Sequence, residues 1–481
     1  MWLGIDIGTS SVKLSLVDEA GTEVASASSK LSVQTPHPYW SEQDPEAWWQ
    51  AVITAAGDLA QRTDLGGVLG VGLSGQMHGA VLLDDADQVI RPAILWNDGR
   101  SYREAEELAA LKWVGDLGGA PPLPGFTAPK LMWMKRHEPA AYARIRRVLL
   151  PKDYVGLKLH GRHATDKSDA AGTLWLDQAT RAWSDRLCEA SSTDPDWLPE
   201  CYEGTEVVGE ITKTAAAALG LKPGTPIVAG GGDAATGAAS VGAVAEGDCF
   251  LSLGTSGQLF IATDAYRPNP AEVVHAYAHC VPGMWFQMAA MLNGARPMDW
   301  FSGICSAPVP DLLAEAAEIS SEDAPIFLPY LTGERTPHGD PHIRGGFHGL
   351  ADGMGRGHMM RAVVDGIAFS FADAAAALAR AGAVFDRVPA IGGGAQSDLL
   401  LQTIADVTGF AITRGAGEAT GAALGAALLA APATARAARK ATGGDTDREF
   451  TPQPTEAQEK RLAIYRALTS AMLTKNSIQQ R

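Results

Sequence analysis

Residues 3–17 read Leu-Gly-Ile-Asp-Ile-Gly-Thr-Ser-Ser-Val-Lys-Leu-Ser-Leu-Val. Two β-forming runs flank a Gly-Thr-Ser turn, and apolar residues alternate in the second run. The stretch therefore predicts a half-buried hairpin. The turn recurs: residues 252–259 read Ser-Leu-Gly-Thr-Ser-Gly-Gln-Leu, between the β-like runs Phe250–Leu253 and Leu259–Ile261. A turn repeated half a chain later predicts two related α/β halves, each opening with the same hairpin. The copies differ two residues before the glycine, where the first carries Asp6 and the second Ser252. Like folds would then hold unlike tasks.

The chain has 481 residues, which at roughly 150 residues per domain allows two or three domains. The repeat narrows this to two, expected at 1–244 and 245–481. A hydrophobic content of 46% with 20% charged residues excludes a mostly disordered or fibrous chain. Glycine is abundant, 53 of 481 residues against roughly 7% on average, with no collagen-like period, so the excess belongs to turns. The net charge of −16 argues against coating nucleic acid or an anionic membrane. No basic stretch opens the chain, so a secretory leader is not expected. The longest weakly polar run, Ala419–Ala433, is shorter than the roughly 20 residues that span a bilayer. Five cysteines, odd in number and without a C-x-x-C pair, fit a reducing cytoplasm.

Further out, two segments share one pattern. Ile227–Ala229 leads into Gly230-Gly231-Gly232-Asp233 and a small-residue helix, Ala234–Ala243. Val388–Ile391 leads into Gly392-Gly393-Gly394-Ala395 and a helix, Ser397–Thr408. Strand, glycine turn and helix together present helix N-terminal N–H groups to an anion. A third helix, Gly417–Ala430, carries Gly421 and Gly425 one turn apart, and two such helices can cross closely where the halves meet. Asp44–Leu59 reads as a helix with an Asp N-cap and Pro at its first turn. Ala128–Glu138 reads as a helix, Leu108–Pro124 as a Gly/Pro-rich loop, and Pro432–Arg481 as a largely helical polar tail.

Asp6, Gly8, Thr9 and Ser10 make a phosphate loop: backbone N–H groups and hydroxyls converge, and the carboxylate can hold Mg²⁺. The alternative is a plain hairpin turn. The second copy, with Gly254 and Thr255, favours the loop, because two such turns can clamp a polyphosphate. Asp233 reads as a helix N-cap, as a base accepting a proton from a hydroxyl, or as both. Met77 and His78, framed by Gly75 and Gly79, are either ligand contacts or a structural turn. Trp96-Asn97-Asp98-Gly99-Arg100 suits a sugar, with an apolar ring beside planar polar groups, but also suits a structural ion pair. Gly70–Gly75 matches G-x-G-x-x-G without a following helix, so the dinucleotide reading fails. His338 and His342 are flanked by Pro337 and Pro341, which break the helix a metal pair would need.

These blocks together resemble the FGGY carbohydrate kinases over essentially the whole chain, and among them most resemble the bacterial xylulose kinases. Leu3–Lys13 is similar to the family's first phosphate motif, and Ser74–Gly79 to its sugar loop. Pro92–Arg100, Pro124–Leu131, Pro329–Pro337 and Gly345–Asp365 are similar to further blocks, in order. The resemblance implies an actin-like ATPase (ribonuclease H-like) fold, two α/β domains flanking a cleft. It implies ATP-dependent phosphorylation of the 5-hydroxyl of D-xylulose, with ATP and Mg²⁺. Asp233 is then the base, Asp6 the group at the metal–phosphate end, and Met77, His78 and Trp96 the sugar contacts. Gly8, Thr9, Ser10, Lys13, Gly254, Thr255, Gly393, Gly394 and Ser397 fall to the nucleotide. The sugar and ATP are the expected partners, without nucleic acid or membrane, and a homodimer is compatible with the sequence. One departure weakens the sugar assignment: the compared kinases carry Asn after the base, and this chain carries Ala234. A kinase of D-ribulose, L-xylulose or glycerol is the enzymatic alternative. A sugar-responsive actin-like regulator is the non-enzymatic one, disfavoured by the charge and by a first strand starting at residue 2.

Overall fold

Asp6 sits opposite Lys13 in the predicted hairpin, formed by antiparallel strands Trp2–Ile7 and Ser11–Val17. The computed structural model describes residues 1–415, 421–435 and 446–479. The second hairpin also forms, from Cys249–Leu253 and Gly257–Thr263, with Ser252 opposite Gln258.

Each hairpin is the heart of a sheet, and the two sheets share one topology. In the first, the order is Val207–Glu210, Pro226–Gly232, Gly70–Gly75, Trp2–Ile7, Ser11–Val17, Glu23–Lys30. In the second it is Thr446–Phe450, Ala411–Gly415, Arg387–Ile391, Cys249–Leu253, Gly257–Thr263, Trp285–Met291, with Val274–Ala278 added at the edge. Parallel and antiparallel pairings match strand for strand. The repeat glimpsed in three residues is thus a repeat of whole sheets.

The two small-residue helices, Asp233–Ser240 and Ala422–Ala430, cross between these sheets. Ala422–Ala430 lies on the first sheet. A Cβ on Gly4 would stand 1.8 Å from the Ala423 carbonyl oxygen, and one on Gly72 1.9 Å from that of Ala426. A Cβ on Gly425 would stand 1.7 Å from the Thr236 oxygen of the crossing helix. Ala235, Ala238 and Ala239 meanwhile share a core with Phe250, Phe260 and Phe286 of the second sheet. Each half sends its helix towards the other's sheet, and absent side chains allow the approach. The predicted residues 417–420 of the second helix lie outside the described residues.

Other expectations are refined. The Asp44-capped helix runs Pro45–Ala60, with the Asp44 carboxylate accepting from Glu46 N. The predicted helix at 128–138 runs Thr127–His137. Leu108–Pro124 is not a loop: helices Tyr102–Ala109 and Lys112–Gly118 occupy most of it. Leu108 and Val114 are buried in the core, and packing there overrides local glycine content. Gly119 ends that helix at φ +80°, with the Ala276 carbonyl 2.0 Å from where a Cβ would stand. The tail is not all helix, since Thr446–Phe450 forms the sheet's edge strand before helix Glu456–Gln479. Residues 436–445 and 480–481 of that tail lie outside the described residues. Gly70–Gly75 is itself a strand, so no dinucleotide turn exists there. His338 Nε2 instead meets the Tyr330 hydroxyl at 3.0 Å.

Ala419–Ala433 is not the longest apolar stretch. Helix Arg356–Arg380 is long and apolar enough to cross a membrane by length and composition, with a mean hydropathy of 1.6. Its window is 89% buried within the protein, where Val363, Val364, Ile367 and Phe371 form the second half's core. It is a core helix.

Candidate active site

The first hairpin places Asp6 beside two neighbours, Lys13 on one side and Ser74 on the other. Asp6 Oδ1 is buried with no hydrogen-bond partner. Burial pushes the carboxyl up to about 6, against the opposing pull of the Ser74 hydroxyl and of Lys13. An orphaned carboxylate oxygen in a phosphate-type turn is a fitting place for Mg²⁺ or for its water.

The turn itself is tightly framed. Gly8 N donates to Ser11 O at 3.0 Å, and a Cβ on Gly8 would lie 2.8 Å from that oxygen. Thr9 Oγ1 donates to Gln76 Oε1 at 2.8 Å and accepts from Trp96 Nε1 at 3.0 Å. Gln43 Nε2 holds the Thr9 carbonyl at 2.8 Å, and Gln76 Nε2 holds Gln43. Ser10 is exposed.

Strand Pro226–Gly232 ends at Asp233, which is the first residue of its helix. The N-cap is Gly232, a correction to the Asp cap expected from the sequence. A carboxylate in the first turn remains favoured by the helix dipole. Asp233 is solvent-accessible, yet the protein around it desolvates its carboxyl. Burial first, and the nearby charge of Asp6 second, push its carboxyl up to about 7. Met77 packs against the preceding Gly232, with Cγ 2.8 Å from where a Gly232 Cβ would stand.

His78 takes a left-handed backbone, φ +69°. Its Nδ1 lies 2.6 Å from the Gly172 carbonyl oxygen. A carbonyl only accepts, so Nδ1 carries the proton and Nε2 is left as an acceptor. Desolvation holds the ring far below its usual range, at about 3, with Lys130, His275 and Arg335 opposing protonation further. The ring stacks on Phe126 at 4.5 Å and 16°. Lys130 Nζ and Thr127 Oγ1 fix the His78 carbonyl at 2.8 and 3.1 Å.

The sugar-type block divides in two. Asp98 and Arg100 form a buried bidentate pair at 2.9 and 2.7 Å, with Glu42 joining at 2.7 Å, so their role is the structural one. Trp96 and Asn97 are exposed, with the Trp96 indole tied to Thr9.

The second turn is held from behind. Ala295 N donates to Gly254 O at 2.7 Å and Gly294 N to Thr255 O at 3.0 Å, leaving Thr255 exposed. Gly392, at φ +92°, abuts Leu253 at the base of this turn and leads into Gly393 and Gly394. Ser397 is the N-cap of helix Asp398–Thr408, its hydroxyl accepting from Leu400 N at 3.2 Å. Accepting that bond leaves the hydroxyl's own hydrogen available to a further acceptor.

Two groups of the second half face these residues and were given no role in the sequence reading. Arg335 lies over the Trp96 ring at 5.9 Å. His275 meets Phe126 edge-on at 6.3 Å, with its Nδ1 buried and unpartnered. Arg335 belongs to the quoted block Pro329–Pro337, whereas His275 lies in no motif.

Family models for the N-terminal and C-terminal domains of the FGGY family of carbohydrate kinases match residues 1–240 and 249–434. The chain belongs to this family. It is a carbohydrate kinase of the two-domain, actin-like ATPase fold, and membership implies ATP as its phosphoryl donor. It is 45% identical over 412 residues to a xylulose kinase of Escherichia coli (strain K12), covering 85% of each chain. A solved structure of a xyloylose kinase from Brucella ovis superposes with a TM-score of 0.93 at 42% identity, covering 98% and 99% of the two chains. A xylulose kinase structure from Rhodospirillum rubrum gives 0.91 at 29% identity, covering 98% of each.

Proposed function

We propose that this kinase phosphorylates the 5-hydroxyl of D-xylulose, with Asp233 as the general base. The observation that carries the reading is Asp233 itself. A carboxyl poised at about 7 on the floor between the halves is matched to proton transfer near neutral pH. It feels the charge of Asp6, and Met77 packs against the adjoining Gly232. Relatives at the identities given above carry the xylulose kinase name, which supports the sugar.

On this reading the sugar lies against His78, Met77 and Trp96. Neutral His78 accepts a hydroxyl hydrogen at Nε2, and the Phe126 stack keeps the ring aimed. The polyphosphate lies between the turns at Gly8–Ser10 and Gly254–Thr255, with Gly393 and Gly394 towards the adenosine. Asp6 is the side chain that would hold Mg²⁺, which when bound neutralises phosphate charge. Asp233 takes the proton of the attacking hydroxyl. Phosphoryl transfer passes through a loose transition state, so most of the catalysis is positioning and charge stabilisation.

Asp233→Ala is expected to cut sugar-dependent turnover by roughly 10²–10⁴-fold while ATP still binds. Near-normal turnover of that variant sinks the base assignment. The sugar is tested by ADP release with D-xylulose, D-ribulose, L-xylulose and glycerol. One observation favours a second reading: Ala234 offers no side-chain amide to a sugar hydroxyl. One missing hydrogen bond costs about 0.5–1.5 kcal/mol, enough to shift preference among ketoses without changing the reaction. The highest kcat/KM with an acceptor other than D-xylulose would establish that alternative.

A further inference from the structure

Arg335 carries a charge that no ion pair among the described residues neutralises, with only the neighbouring Glu334 carboxylate favouring it from a distance. Among the described residues no carboxylate lies within ion-pairing distance of its guanidinium. The adjacent Glu334 is spent on backbone, accepting from Leu292 N at 2.7 Å and from Arg335 N at 2.8 Å. Glu334 thereby locks the loop and leaves the guanidinium free. The side chain is half-buried, and desolvation lowers its hold on the proton. A partly desolvated arginine without a partner is costly unless a ligand supplies the counter-charge.

Its position says which ligand. The guanidinium reaches across to Trp96, whose indole N–H is bonded to Thr9 of the phosphate turn. Its charge is felt at His78 and at His275, so it also borders the sugar residues. A neutral sugar would not compensate a full positive charge, whereas a phosphoryl group would, with oxygens spaced for the guanidinium fork. Lys13, a cation beside the turn, already acts on Asp6.

We propose that Arg335 is a catalytic residue that binds the phosphoryl group in flight between nucleotide and sugar. The proposal rests on the kinase reading of the site, though not on which sugar is used. As the bond from the γ-phosphorus to the ADP oxygen breaks and the bond to the sugar oxygen forms, the hydroxyl proton goes to Asp233. Arg335 exchanges no proton and supplies only charge and hydrogen bonds.

The test uses the full chain with whichever acceptor the wild type turns over best. Arg335→Met keeps an unbranched chain to lie on Trp96 but removes the charge, and Arg335→Ala removes both. Both are expected to lose kcat by roughly 10²–10³-fold, as when a transition-state donor is removed. Sugar affinity without nucleotide, read from tryptophan fluorescence, should change by less than about threefold. Added methylguanidinium should restore part of the Arg335→Ala rate. Wild-type kcat in Arg335→Met shows a packing role and overturns the proposal. A loss confined to sugar affinity shows a sugar contact and overturns it too. Failure of the kinase reading is separate, since it would appear in the wild type as no turnover with any acceptor.

Discussion

The two Gly-Thr-Ser turns share a backbone and differ in how they are finished. In the first, Thr9 is pinned by Gln76 and Trp96 and lies beside a raised, partly orphaned carboxylate. In the second, Ser252 replaces that carboxylate, and the turn is held through its carbonyls by Gly294 and Ala295. Thr255 is left open. The first turn is thus a charged, rigid corner beside Asp233, and the second a neutral cradle. One fold repeated twice can do asymmetric chemistry because a single register position, Asp6 or Ser252, decides whether the turn adds charge or leaves room for it.

Making the first turn a copy of the second breaks this contrast most directly. Asp6→Ser should lower turnover or apparent Mg²⁺ affinity by about 10–100-fold, as loss of groups orienting a metal does. A Mg²⁺ titration of kcat checks it, and an unchanged titration removes Asp6 from the metal. The reverse change, Ser252→Asp, puts a second carboxylate beside the polyphosphate. Repulsion of ~1.4 kcal/mol should raise the ATP KM on the order of tenfold with sugar affinity unaffected. An ATP KM that stays put would show that the second turn does not face the nucleotide.

The smallest effect concerns pH. In its proposed role as base Asp233 must be ionised, so kcat/KM should rise with pH through about 7, reaching about a tenth of its plateau one unit below. A flat profile between pH 6 and 8 would contradict the raised carboxyl. The same shift has a cost in stability. The folded pKa of Asp233 lies above its unfolded value, so the folded state binds the proton more tightly. Wild-type stability from this group is therefore lost as pH rises towards and through 7. Asp233→Asn, which cannot ionise, should melt higher than wild type at pH 8, and the gap should close as pH falls towards 4. A thermal melt series measures it.

Much of this was legible in the chain. The hairpins, the Asp44-capped helix and the strand–glycine–helix units follow from local rules, since turn chemistry and periodicity act over a few residues. The glycine-rich stretch at 108–124 reads as a loop but folds into helix, because those glycines serve close packing against Leu174 and Ala276 rather than freedom of the chain. Asp98 and Arg100 were ambiguous for a related reason: an ion pair and a sugar contact use the same side chains, and only burial separates them. Ser397 likewise revealed its capping role only when Leu400 was in place.

By itself, the sequence determined the repeat, the two turns, the aspartates and the family, because each rests on residue types at short spacing. Only the tertiary structure decided that the small-residue helices cross between the sheets, and that Arg335 and His275 face residues of the first half across the shared space. Those contacts join residues well over a hundred positions apart. Their energies come from desolvation and close packing, which no local pattern records.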